Sequence, residues 1–111
     1  MAHYTITDIQ YQRNGVSGEG FFSVAVDYSE TPRGQKTHLI AIMPQKYDEV
    51  TDTHRTWPDY TYVIDPLNLD SGWRGDNFGR ALCGVVDENS NAAFPTLYPE
   101  ARKVLPIRIK D

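Results

Sequence analysis

Apolar and polar residues alternate most regularly over residues 21–28, where Phe22, Val24, Val26 and Tyr28 share one face and Phe21, Ser23, Ala25 and Asp27 the other. That period of two predicts a half-buried strand. Residues 4–13 carry Tyr4, Thr5, Ile6, Thr7, Ile9 and Tyr11, side chains that suit a pleated surface. The apolar parity there switches from 4 and 6 to 9 and 11, which predicts a bulge near Asp8. Asn14-Gly15 supplies turn chemistry between these two strands.

A third strand is expected over residues 37–43, whose near-continuous apolar run suggests a central position covered on both faces. Pro44 is expected to end it. Residues 45–59 are the least determined: 47–50 fit a helical turn, and 51–58 read as a polar loop carrying Trp57. A fourth strand follows at 60–64, with Tyr60, Tyr62 and Ile64 on one face, closed by Asp65-Pro66.

Residues 67–82 pack glycines, acids, arginines and Trp73 into what reads as a loop opening a helix. Phe78, Ala81, Leu82, Val85 and Val86 recur at helical spacing, and Asp76 is the expected N-cap. Gly79 and Gly84 cost such a helix about 1 kcal/mol each relative to alanine, so a strand over 81–86 stands as the alternative. Residues 87–91 are turn chemistry. Residues 96–104 suggest a short second helix with Pro99 in its first turn. Residues 105–110 alternate as an edge strand, guarded by Pro106, Arg108 and Lys110. These elements make a single α+β domain over residues 1–111: an antiparallel sheet of about five strands, the first three in a meander, with one principal helix and a second short one on one face.

Fifteen acids against eleven bases give a net charge of −4, a balance that repels a phosphate backbone, so nucleic acid is not the expected partner. Cys83 is the only cysteine, which leaves no intramolecular disulfide and no multi-cysteine zinc site. The first residues show no basic segment followed by a long apolar run, and no stretch approaches the roughly 18 to 20 apolar residues of a membrane span. A cytoplasmic protein without membrane contact is expected.

Chemistry is sought first in residues 71–80. A helix start presents unpaired N–H groups to an anion, and Arg74 and Arg80 add forked donors. The glycine spacing matches neither the dinucleotide fingerprint nor the lysine-bearing phosphate loop. Trp57 and Trp73 fall in expected loops beside arginines, the composition of interaction hot spots. The expected binding residues are therefore Trp57, Trp73, Arg74, Asp76 and Arg80. The competing structural reading makes this stretch a tight strand-to-helix connection with Trp73 folded over the core. Arg74-Gly75-Asp76 also spells an integrin-recognition tripeptide, taken as coincidence in a chain expected to stay in the cytoplasm.

Asp52, His54 and Asp59 share one segment, and Asp65 and Asp70 flank the next connection. Acid–base catalysis needs such groups within hydrogen-bond reach, and their spacing matches no metalloenzyme motif. No catalytic residue, metal or cofactor is assigned. His38 reads as a sheet-surface or packed residue, His3 as terminal, and Cys83 as a small buried hydrophobe. The expectation is a small non-catalytic binding or accessory protein that engages a protein partner or a small-molecule ligand. The alternatives are a sequestering protein for an anionic small molecule, and a hydrolase or isomerase using Asp52, His54 or Asp70. The tyrosine, phenylalanine and valine of the open sheet face also suggest a homodimer.

Overall fold

The first three strands form the expected meander, and the parity switch in the first of them is a true bulge. A computed structural model of the chain describes residues 3–13, 20–31, 33–73, 75–91, 96–97 and 105–109. Strand β1 (His3–Arg13) pairs antiparallel with β2 (Gly20–Ser29), which pairs with β3 (Thr37–Asp48). Ile6 faces Val26 and Asp8 faces Ala25, so Thr7 is the extra residue. That insertion lets Ile6 and Ile9 both point into the core, where each is fully buried. The Asn14-Gly15 turn lies outside the described residues.

Strand β3 does not stop at Pro44. Its Ile40–Ile42 stretch pairs with β5 (Tyr62–Asp65), and its Gln45–Asp48 stretch pairs with β4 (Thr53–Thr56). Pro44 falls in the gap where one edge partner hands over to the other, so its missing N–H is tolerated. The expected helical turn at 47–50 and the polar loop after it are instead the β3–β4 hairpin. Trp57 then leads into a 3-10 helix (Pro58–Tyr60), which places Tyr60 ahead of the strand it was expected to start. The inward positions 39, 41, 43 and 45 of β3 are buried, whereas Ile40 and Ile42 keep part of their surface exposed. This central strand is thus covered on one face, not two.

The first half of the glycine-rich stretch is strand rather than loop. Asp65 receives Asn68 N and Nδ2 at 3.3 and 2.7 Å, and Leu69 adopts the left-handed region at φ 53°. The turn so formed sends β6 (Asp70–Trp73) back along β5. Helix α1 (Asn77–Glu88) follows, its Asp76 side chain accepting Gly79 N at 3.2 Å as the expected N-cap. The strand alternative for 81–86 is overturned: Phe78, Leu82, Cys83 and Val86 form a buried stripe while Gly84 faces outward.

Strand β7 (Ser90–Asn91) pairs with β8 (Thr96–Leu97), so the expected second helix begins as strand, and residues 98–104 lie outside the described set. Strand β9 (Ile107–Ile109) closes the sheet against β1, as the edge expectation required. The result is α+β: a seven-strand antiparallel sheet in the order β6-β5-β3-β2-β1-β9, with β4 also on β3. Helix α1 buries its stripe on one face, in one cluster with Tyr4, Ile6, Ile9, Phe22, Val24, Val26, Leu39, Ala41, Met43, Val63 and Ile109. No helix among the described residues is long and apolar enough to cross a membrane.

Candidate functional site

The helix covers only part of the face it packs on. At its N-terminal end Phe78 lies flat on Tyr4, ring centroids 4.0 Å apart. Beyond this contact, the inward positions of five strands are left as the floor of a cleft of about 500 Å³, a volume within the usual range for small-ligand sites. Tyr4 and Tyr28 stand at one side with their rings 5.1 Å apart, Leu39 and Val63 form the floor, and Asp65, Asp70 and Gly72 form the opposite rim.

Sheet geometry fixes the chemistry of that rim. Period two carries buried Val63 into Asp65 on the same face, and antiparallel pairing sets Asp70 directly across from Asp65. Like charges directly opposite one another destabilise a ladder. Among the described residues neither carboxylate joins an ion pair and no lysine or arginine lines the cleft. Their partners are neutral N–H groups: Asp65 binds Asn68, and Asp70 Oδ1 accepts Ser71 N at 2.9 Å. A third carboxylate, Glu30, accepts the Tyr28 hydroxyl. An aromatic wall, an apolar floor and two carboxylates with no ion-pair partner among the described residues are suited to a cation.

Of the five residues expected from sequence to bind, Trp57, Trp73, Asp76 and Arg80 fall within the described residues, and none of these four lines the cleft. Trp57 is half-buried, with the Arg55 guanidinium 3.5 Å above its ring and its indole N–H donating to Lys46 O at 3.4 Å. Arg55 in turn binds Asp48 at 2.8 Å, so Trp57 is the base of a hairpin brace. Burial pushes the Asp48 carboxyl up, but the Val50 N–H and the Arg55 guanidinium outweigh it and hold it below the usual aspartate value. Trp73 is 65% exposed and lies in strand β6, edge-on to Tyr62 at 4.9 Å. Asp76 is spent on the helix cap, Arg80 is exposed in the first turn of α1, and Arg74 lies outside the described residues.

The acids and histidine considered for catalysis fall in separate places: Asp52 and His54 both meet Tyr47, whereas Asp65 and Asp70 face each other across β5 and β6. His54 pairs with Tyr47 across the β3–β4 hairpin, and Asp52 accepts the Tyr47 hydroxyl, which raises that phenol's pKa first through the hydrogen bond and then through burial and the negative charge nearby. Asp70 sits beyond the Ile40–Ile64 pair at the other end of β3. Seven residues of strand, roughly 23 Å, separate the two ends. His38 meets Asp27 at 3.3 Å on the open face. Cys83 is buried beside Thr61, Sγ to Oγ1 3.6 Å, and burial pushes its thiol up, the environment of an inert cysteine. No metal-holding cluster occurs among the described residues.

Sequence reasoning placed Asp65 and Asp70 beside a connection but did not join them to Tyr4 and Tyr28. The signal was present in the parity: the inward faces of residues 21–28 and 62–65 end in Tyr28 and Asp65, polar-tipped residues where a core face would continue apolar. Comparison with protein-family models, curated proteins and solved structures gives no match, so the fold and this cleft carry the functional argument.

Proposed function

We propose that this chain is a small, non-catalytic α+β binding domain whose ligand presents a positively charged group to the Tyr4–Tyr28–Asp65–Asp70 cleft. The observation that carries this reading is the opposed pair Asp65 and Asp70, without an ion-pair partner among the described residues, at the rim of an aromatic-walled cavity. A carboxylate pair that costs the sheet stability gains a use once a cation neutralises it, and the net charge of −4 draws cations toward it. The same charges disfavour sequestration of an anion in this cleft.

The test is an amide-shift NMR titration with n-butylammonium, arginine amide and spermidine, set against phosphate and citrate at matched ionic strength. The cations are expected to move the amides of residues 63–65 and 70–72, and the anions to leave them unmoved. Replacing both acids, Asp65→Asn with Asp70→Asn, is expected to weaken cation binding at least tenfold while leaving melting unchanged or raised. Binding of the anions in the cleft, or cation binding indifferent to the double replacement, counts against the proposal.

A further inference from the structure

The cleft is asymmetric: its tyrosines stand on β1 and β2, away from the β6 edge, while Asp65, Asp70 and Gly72 stand toward that edge. Negative charge is therefore concentrated where the sheet ends. We propose that the cation arrives on an extended peptide, which adds as a strand to the outer edge of β6 and lays a lysine or arginine across Gly72 between the two carboxylates. This rests on the cation-binding reading above and names the form the ligand takes.

Three features of β6 carry the inference. The two outer strands of the sheet are built differently. Strand β9 is three residues long, follows Pro106 and carries Arg108, devices that discourage pairing with a further strand. Strand β6 pairs with β5 through all four of its residues without bulge, proline or lysine, and no described strand lies beyond it. Its Ser71 N–H is held by the side chain of Asp70, an acceptor that the carbonyl of an incoming strand replaces, releasing the carboxylate toward the cation.

Gly72 then makes the rim passable. A Cβ at this position meets nothing within 4 Å, so the way from the outer edge to the acids runs over bare backbone. Strands are spaced about 5 Å apart, so from an added strand Asp70 lies one spacing inward and Asp65 two. A long basic side chain spans that distance, and both acids are set to receive it.

The opposite face of β6 supplies the rest of the recognition. Side chains of an added strand alternate between faces, so the residues flanking the basic one emerge beside Trp73, which stands exposed against Tyr62. The partner is thus an extended segment that alternates basic and apolar residues. Main-chain bonds supply affinity and the cleft supplies selectivity, as in other strand-addition complexes.

The probe is a blocked peptide, acetyl-Val-Arg-Val-Lys-Val-amide, titrated by NMR and calorimetry beside arginine amide and a form of the same peptide N-methylated at alternate residues in each register. The unmodified peptide is expected to bind at least tenfold more tightly than arginine amide and to shift the amides of residues 70–73. N-methylation in one register is expected to bring it down to the level of arginine amide. Gly72→Val fills the rim with a residue favoured in strands and is expected to weaken peptide binding at least tenfold at nearly unchanged melting. Equal binding of the peptide, both N-methylated forms and arginine amide overturns strand addition and leaves the cation reading standing. Absence of binding by every cationic probe overturns both. Self-association that protects the β6 amides, seen by sedimentation and hydrogen exchange without peptide, also overturns the proposal, because the edge then serves a second copy of this chain.

Discussion

Asp87, in the last turn of α1, accepts hydrogen bonds from both the backbone N–H and the hydroxyl of Thr56 in β4, each at 2.9 Å. A carboxylate near a helix C-terminus opposes the helix dipole, so the residue is retained there for what it ties together. The Thr56 hydroxyl also reaches Cys83 O at 3.4 Å, which joins the end of the helix to the β3–β4 hairpin through one buried threonine.

Burial raises the Asp87 pKa above its usual 3.8; the two Thr56 donors and the Arg55 charge oppose that rise without reversing it. A folded-state value above the unfolded one means that the folded chain binds the proton more strongly. The stabilising contribution is therefore complete below pH 3.8 and lost as pH rises through the raised folded value. Asp87→Asn keeps an acceptor and removes the titration. Wild type is expected to gain stability relative to this variant as pH falls from 7 toward 4, measured by urea unfolding. A difference flat across that range, or of opposite slope, contradicts the assignment.

Two replacements two residues apart in α1, on opposite sides of the helix, are expected to move stability in opposite directions. Leu82 is fully buried against the sheet, so Leu82→Ala should cost about 2 to 5 kcal/mol. Gly84 sits in the interior of the same helix on its solvent side, and a Cβ there meets nothing within 4 Å. Gly84→Ala should therefore gain about 0.5 to 1 kcal/mol. Denaturant midpoints of the two variants read both signs, and a loss on Gly84→Ala would place that residue in an undetected contact.

The sequence yielded its elements wherever one period ran unbroken. The 21–28 alternation, the bulge near Asp8, the stripe from Phe78 to Val86 and the Asp76 cap were all legible, since each rests on neighbours in the chain. The β3–β4 and β5–β6 hairpins were not. Pro44 read as a terminator because its place between two edge partners depends on strands 10 and 20 residues away. Gly72 and Trp73 read as loop because four residues are too few to establish a period, and the Leu69 turn has no glycine to announce it. The site was lost for the same reason: Tyr4, Tyr28, Asp65 and Asp70 meet only through sheet register, whereas Trp57, Trp73, Asp76 and Arg80, which drew attention by composition, do not line the cleft.

The two tryptophans are expected to differ in what they contribute to folding. Trp57 is packed under Arg55 and bonded to Lys46 O, so Trp57→Ala should remove both the brace and buried area, at a cost of about 3 kcal/mol or more. Trp73 leaves 65% of its surface to solvent, and Trp73→Ala should cost about 1 kcal/mol, the worth of its edge contact with Tyr62. Thermal melts of the two variants at one protein concentration measure the contrast. Equal losses would mean that Trp73 is covered in solution, as it would be in a dimer formed through the open sheet face.

The last expectation concerns Gln45, an inward position of β3 between the core residue Met43 and the Thr56 end of the β3–β4 ladder. The residue is 1% exposed, and neither amide atom has a hydrogen-bond partner among the described residues. A buried polar group left unpaired costs about 1 to 3 kcal/mol, whereas an apolar side chain of similar size gains from the same burial. Gln45→Leu should therefore raise stability by about 1 kcal/mol or more, read as a higher urea midpoint with an unchanged slope. Gln45→Glu places a charge at the same depth and should lower stability most at neutral pH, where the carboxylate is ionised, and least in acid. A loss on Gln45→Leu would show that the amide is hydrogen-bonded in solution and that this end of the core is polar by construction.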